Sequence, residues 1–294
     1  MLDADALWPQ IMGMSDTDIT EAPKAATEAS ATKIPKSETR EFLGFVVKLI
    51  VTVLLLRTLL FAPFSIPSES MQPKLLVGDY LLVTKWNYGY SRNSLPFRLP
   101  LFSGRVFSSL PERGTVVVFK APPSNEVDFI KRVIGVPGDR IQMKGGQLIL
   151  NGAAVPKKRL PDFLVPVSEN THCYAPQFQE TASDGAARCR YPRFQETLPN
   201  GKSYEVLDMM TIMKDDTEEF VVPPDHLFMM GDNRDNSQDS RFSPEFESGI
   251  GLVPVVNLVG RAWFIAFSTD GSSHWYNPIS WFTAARLDRP GTGF

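Results

Sequence analysis

A chain of 294 residues is long enough for one large domain or two small ones once tails and membrane spans are set aside. Its 30 Lys and Arg nearly balance 33 Asp and Glu, for a formal net charge of -3, so nothing points to nucleic acid, which would call for a clustered basic face. The two cysteines, Cys173 and Cys189, stand apart from any Cys/His cluster of metal-binding spacing, and no metal or cofactor is expected.

Residues 1–41 are rich in Ala, Thr, Ser, Asp and Glu without apolar periodicity, and read as a disordered cytosolic tail. The run FLGFVVKLIVTVLLLRTLLF then gives a membrane-spanning helix, assigned to residues 42–62. Lys48 and Arg57 each lie within about two turns of an end and can snorkel towards a headgroup layer. They fall on roughly opposite helix faces, which argues against a helix lying flat on the membrane. No A-x-A-like site follows, so an uncleaved signal anchor is favoured over a removed signal peptide. Lys33, Lys36 and Arg40 place the N-terminus inside and everything after Phe64 outside, in a single pass. In an oxidising compartment Cys173 and Cys189 are then expected to pair, two unrelated buried thiols being the alternative.

Beyond the span the texture is β. Gly78 to Val83, Thr115 to Phe119, His226 to Met230 and Leu258 to Ile265 are apolar, β-branched or aromatic runs between Gly, Lys and Pro punctuation. Ile141 to Lys144, Gly145-Gly146 and Gln147 to Leu150 read as a hairpin with a two-glycine turn. Asn87 to Arg113 reads as a long exposed excursion. The fold class is therefore mostly β: an N-terminal transmembrane helix, then an antiparallel β-domain over 63–150 and 224–270, which holds the chemistry-bearing stretches taken up next. A smaller β-subdomain is inserted over 151–223, and 271–294 is an irregular C-terminal tail.

Three stretches carry chemistry. In Ile66-Pro67-Ser68-Glu69-Ser70-Met71-Gln72-Pro73 the two prolines stiffen a non-helical segment holding two hydroxyls, a good mount for a nucleophile or simply a linker. In Asp128-Phe129-Ile130-Lys131-Arg132-Val133 strand alternation puts Lys131 with Phe129 and Val133, and Arg132 on the other face. Apolar neighbours desolvate an amine and lower its pKa, which suits a general base; a surface lysine on an edge strand is the plain alternative. The third stretch, Gly231-Asp232-Asn233-Arg234-Asp235-Asn236-Ser237-Gln238-Asp239-Ser240-Arg241, fails as a calcium loop. Counted from Asp235, Ser240 stands where glycine is needed and Phe246 where a bidentate glutamate is needed. It remains a polar network able to orient an amine. The three histidines are scattered, and nothing local supports a Ser-His-Asp triad.

These three motifs, in this order behind a membrane anchor, resemble the bacterial type I signal peptidase (leader peptidase) family. The resemblance implies a serine endopeptidase that removes signal peptides through a Ser70/Lys131 dyad and an acyl-enzyme. It implies an oxyanion hole from Ser68 and Ser70, a lysine-orienting Ser237 and a supporting Asp239–Arg241 pair. Shallow pockets for small substrate side chains would by position be lined by Phe64, Ile66, Met71, Leu75 and Ile130, each of which could equally be core. The implied setting is the bacterial inner membrane with the catalytic domain on the periplasmic side. Its partners there are membrane-tethered preproteins and the lipid bilayer. Two features depart from the family pattern: Glu69 replaces a small glycine between the serines, and only one span is evident where some members have two.

Other readings fare worse. A penicillin-binding Ser-x-x-Lys enzyme needs that spacing on a helix, whereas Lys74 follows Ser70 by four residues with Pro73 between. A non-catalytic anchored β-domain would leave three ordered motifs to coincidence. A relative specialised for one secretion or pilus-assembly substrate stays close to the favoured reading.

Overall fold

The structure is a computed structural model that describes residues 36–95, 98, 103–244, 249–274 and 276–294; most of the expected cytosolic tail, residues 1–35, lies outside it. Helix α1 (Lys36–Leu55) runs into a π-turn, Leu56–Leu60. The stretch Glu38–Leu60 is, by length and composition, apolar enough to cross a membrane. The helical run stops at Leu60, short of the expected 62. Phe61 and Ala62 already pair with Thr84 and Val83, and Pro63 cannot continue a helix.

Thirteen of the strands among the described residues carry the architecture of 61–268. They are β1 (Phe61–Ser65), β2 (Asp79–Thr84), β3 (Val116–Lys120), β4 (Asp128–Gly135), β5 (Arg140–Lys144) and β6 (Gln147–Leu150). There follow β7 (Lys157–Pro166), β8 (Gln179–Thr181), β9 (Ala187–Thr197) and β10 (Ser203–Leu207), then β11 (His226–Met230), β12 (Val253–Pro254) and β13 (Leu258–Ser268). The largest sheet has the order β1-β2-β13-β3-β4-β11-β12, and every pairing in it is antiparallel. Strand β3 is buried on both faces. Val117 and Phe119 enter one apolar cluster and Val116 and Val118 another, which explains why its sequence does not alternate.

The hairpin β5–β6 turns at Gly145 and Gly146, both at positive φ (53 and 73), as a tight two-residue connection requires. Its sheet is completed by the two-residue segments Ala153–Ala154 and Phe220–Val221. The remaining four-stranded sheet sets β9 between β7 on one side and β8 and β10 on the other. Cys189 on β9 is disulfide-bonded to Cys173.

Two expectations are corrected. The excursion from Asn87 to Arg113 is exposed over most of 103–110, as expected, but its first part is tied down (96–97 and 99–102 lie outside). Arg105 donates to the carbonyls of Tyr88, Gly89 and Val256, and Ser91 and Asn93 also reach Val256 O. A half-buried guanidinium with many backbone acceptors holds the start of a loop that composition alone marks as exposed. The tail 271–294 is not irregular either. It forms α2 (Pro278–Thr283), capped by the Asn277 side chain, and bridges back to β13 at Phe264↔Gly293 and just beyond it at Thr269↔Ala285. The reason is Asp79: it is fully buried and accepts from Arg289 Nε and Nη2 at 2.8 and 2.6 Å. Removing one partner of a buried pair strands the other charge. Arg289→Ala should therefore destabilise the protein by about 3 kcal/mol in urea unfolding; an unchanged midpoint would show that the tail is only loosely held.

Candidate active site

Residues 67–77 form a loop closed at its neck by Ile66 N–H to Asp79 O (2.8 Å) and Gly78 N–H to Ile66 O (3.0 Å). Inside it, Gln72 N–H donates to Glu69 O and Leu75 N–H to Met71 O, each at 3.0 Å. Met71 and Leu75 are fully buried in the cluster with Ile66, Leu81, Val83 and Val116. These apolar pegs fix the backbone on which Ser70 stands. Met71 and Leu75 are thus core and not groove wall, unlike the expectation: they follow Ser70 on the side of the loop facing the sheet.

On β4, Lys131 points as alternation predicts, its Nζ 5.4 Å from the Phe129 ring. That Nζ donates to Ser70 Oγ at 2.6 Å, with Lys131 4% and Ser70 7% exposed. Burial pushes the amine down from 10.5 to about 8; Asp239 and Asp232 pull it back up and Arg241 opposes them. An amine so placed is still mainly protonated near neutral pH, but far more of it is neutral than of a free lysine, and it lies in reach of the hydroxyl proton. The Ser68 hydroxyl, exposed, is 3.5 Å from Ser70 Oγ. The Ser70 carbonyl accepts from Asn233 N–H at 3.1 Å, while the Ser70 N–H has no acceptor among the described residues.

The loop after β11 frames this pair. Asp239 and Arg241, both 0% exposed, form a two-pronged ion pair with both contacts at 2.9 Å. Burial alone would raise the Asp239 carboxyl, but Arg241 and two backbone N–H groups, Gly231 and Arg241, hold it below its ordinary value. Ser237 Oγ is buried with no hydrogen-bond partner, so the orienting contact that the resemblance assigns to it is not made here. Gly231 matters by closeness: a Cβ there would overlap Ser237 Oγ and the Ser70 carbonyl oxygen.

Glu69 turns away from the groove. Its Oε2 accepts from Asn236 Nδ2 at 3.2 Å and its carbonyl from Asn233 Nδ2 at 3.3 Å, which ties the serine loop to the polar loop. Burial raises its carboxyl, with Asn236 and His172 acting in the opposite direction. The groove itself has a volume of about 1320 Å³, and Phe64, Ile66, Ile130, Ser68, Ser70 and Lys131 are among its walls. Of the five expected pocket residues, three therefore line it.

Sequence reasoning missed two further buried pairs. Arg132 binds Asp232 through two contacts (2.7 and 2.5 Å) and stacks 4.3 Å from the Tyr204 ring. Arg234 binds Glu196 of β9 through two contacts (2.7 and 2.6 Å), and Tyr204 Oη donates to the same carboxylate. The signal for the first was available: Arg132 must face opposite to Lys131, and Asp232 begins the acidic and basic run after β11. Nothing local to Glu196 announced the second.

The family described as "Signal peptidase, peptidase S26" matches residues 39–267. Signal peptidase I of Rickettsia typhi is 36% identical over 277 residues, covering 88% of this chain and 94% of that protein. Signal peptidase I of Rickettsia canadensis is 35% identical over 282 residues, covering 90% and 95%. A crystal structure of a signal peptidase I from Enterococcus faecalis V583 covers 52% of this chain and 97% of its own, with 20% identity and a TM-score of 0.27, too low to add weight.

Because Gly231 leaves no room for a side chain, Gly231→Ala should shift Ser70 and Ser237 together. Displacements of about 1 Å at reacting groups can cost on the order of 100-fold, and peptide cleavage by the purified variant is expected to fall by at least that. Wild-type turnover in this variant would mean that the close approach is not required.

Proposed function

Since the chain belongs to the signal peptidase, peptidase S26 family, and is thus a peptidase, we propose that it cuts signal peptides from exported preproteins through a Ser70/Lys131 dyad while anchored in a membrane. The observation that carries this reading is the 2.6 Å contact between Lys131 Nζ and Ser70 Oγ in a buried setting. A serine hydroxyl is a weak nucleophile until a base accepts its proton. Here the base is an amine whose neutral form burial brings within reach of physiological pH, so no histidine is needed.

In the proposed course, Lys131 takes the Ser70 proton as Oγ attacks the scissile carbonyl carbon. The Ser68 hydroxyl and the unengaged Ser70 N–H donate to the oxyanion. The tetrahedral species collapses, Lys131 returns the proton to the leaving amine, and the acyl group stays on Ser70. Water, deprotonated by Lys131, then attacks the ester and frees the enzyme. Asp239–Arg241 and Arg132–Asp232 fix the surroundings of the amine, and Ser237 stands beside it as a positioning residue whose hydroxyl turns towards Lys131 when substrate binds. Phe64, Ile66 and Ile130 leave shallow apolar space for small side chains before the cut.

The anchoring half rests on the apolar run Glu38–Leu60 and on aromatic side chains next to it. Phe61 stacks with Trp263 and meets Trp86 edge-on, and Tyr80, Trp86, Trp263 and Phe267 are all exposed. Exposed Trp and Tyr at the end of an apolar helix suit a membrane interface. The proposed orientation is N-terminus inside, catalytic domain outside, in the inner membrane, where tethered substrates are brought to the groove at high effective concentration.

Ser70→Ala and Lys131→Ala should each abolish cleavage of a signal-peptide-bearing precursor, read as the new N-terminus, while thermal melting stays close to wild type. Ser68→Ala should retain cleavage but lose roughly 100- to 1000-fold in kcat, the cost of one oxyanion donor. Residual wild-type cleavage in Lys131→Ala would remove the proposed base.

A further inference from the structure

The catalytic reading leaves one buried cation without a role. Lys85 follows β2, is 5% exposed and lines the groove that holds Ser70 and Lys131. Its Nζ donates to the Ser94 carbonyl at 2.6 Å. An ammonium has three donors, and among the described residues no carboxylate lies within ion-pair distance of this one. The nearby Asp128 is engaged with Lys120 at 3.0 Å. Burial, with Arg57 adding to it and Asp128 opposing, lowers the amine to about 8, so Lys85 is still mainly cationic at neutral pH. Arg57 lines the same groove and has no carboxylate partner among the described residues. Arg98, also in the wall, has a buried Nε with no hydrogen-bond partner.

A buried positive charge that lacks a counter-ion is costly unless an anion arrives from outside. Position says which anion. Arg57 sits in the last turn of the apolar helical run, among exposed Leu54, Leu55, Leu56, Leu59 and Leu60, and Leu54 joins it in the groove wall. Apolar side chains around a cation at the end of such a helix match the boundary between acyl chains and headgroups. The anion met there is a phosphodiester, which a guanidinium binds in two-pronged fashion and an ammonium as a point charge. We propose that Arg57 and Lys85, with Arg98 beside them, form a binding site for the phosphate of an anionic phospholipid, seated where the groove meets the end of the apolar helix. The lipid completes the groove wall beside the end of the apolar helix, between the bilayer and the path of an extended substrate. The site rests on the membrane anchoring proposed above.

The test uses the full-length protein in detergent micelles doped with equal amounts of phosphatidylglycerol and phosphatidylcholine, read by native mass spectrometry. Wild type should retain one phosphatidylglycerol and little phosphatidylcholine, and Lys85→Gln and Arg57→Gln should each cut that retention by about 10-fold or more, the loss of a single charged contact. Arg57→Gln changes a helix surface, so it carries the test if Lys85→Gln fails to fold by near-UV circular dichroism. Equal retention of both lipids, or undiminished phosphatidylglycerol in the foldable variants, overturns the proposal. So does protection of Lys85 from amine acetylation by millimolar inorganic phosphate as strong as that by the lipid, because the occupant is then a free anion. An increased KM in Lys85→Gln for soluble peptides with Asp before the cut, with lipid retention unchanged, assigns the site to substrate and also overturns it. Ser70→Ala should retain lipid like wild type, so a failed catalytic assignment shows in cleavage and a failed lipid site shows in retention.

Discussion

A 2.6 Å hydrogen bond joins Lys131 Nζ to Ser70 Oγ, and its chemistry depends on keeping water away from an amine. In water a lysine near pH 7 is almost wholly ammonium, which has no lone pair to offer a hydroxyl. Burial shifts the balance towards the neutral form, and the fold supplies that burial from several directions. Strand β4 presents the lysine, the pegged loop at Ile66, Met71 and Leu75 presents the serine, and the chain after β11 closes over both. None of these elements is adjacent to another in sequence, so the pair exists only in the assembled sheet.

The charges around the amine matter by how nearly they cancel. Asp239 and Asp232 would stabilise the ammonium and undo the effect of burial. Each is bound in two-pronged fashion to its own arginine, Arg241 and Arg132. The carboxylates therefore shape the site while much of their field is answered locally, and desolvation remains the largest influence on Lys131. Buried ion pairs of this kind contribute little net stability compared with apolar packing; their value here lies in holding loops in register around the reacting groups. Glu196 extends the same arrangement into β9, linking the sheet that carries the disulfide to the loop that carries Asp239.

Much of this was legible in the chain. Strand alternation placed Lys131 towards Phe129 and Arg132 on the opposite face, and Gly145-Gly146 fixed the hairpin. The order of the three motifs suggested a membrane-anchored peptidase before any coordinates. What stayed hidden depended on long-range contact. Met71 and Leu75 look like pocket residues by their nearness to Ser70, yet the loop turns them into the sheet. The tail after residue 270 has no apolar period, and its order comes from contacts with distant elements, among them the buried carboxylate of Asp79, far earlier in the chain. Lys85 reads as the polar end of a strand, and only burial without a counter-ion marks it out. Pairs such as Arg234–Glu196 cannot be read locally, because one partner lies on β9 and the other on the loop after β11, and no spacing rule connects them.

The central claim, that burial above all keeps Lys131 a usable base, is tested most directly by titrating that one amine. Lysine labelled with carbon-13 at Cε, in the full-length protein, reports its own protonation by NMR, and Lys131→Arg assigns the signal. The account predicts a midpoint near about 8 for Lys131, with the neutral form growing as pH rises through that value. A midpoint at about 10.4, that of a lysine free in water, would contradict it.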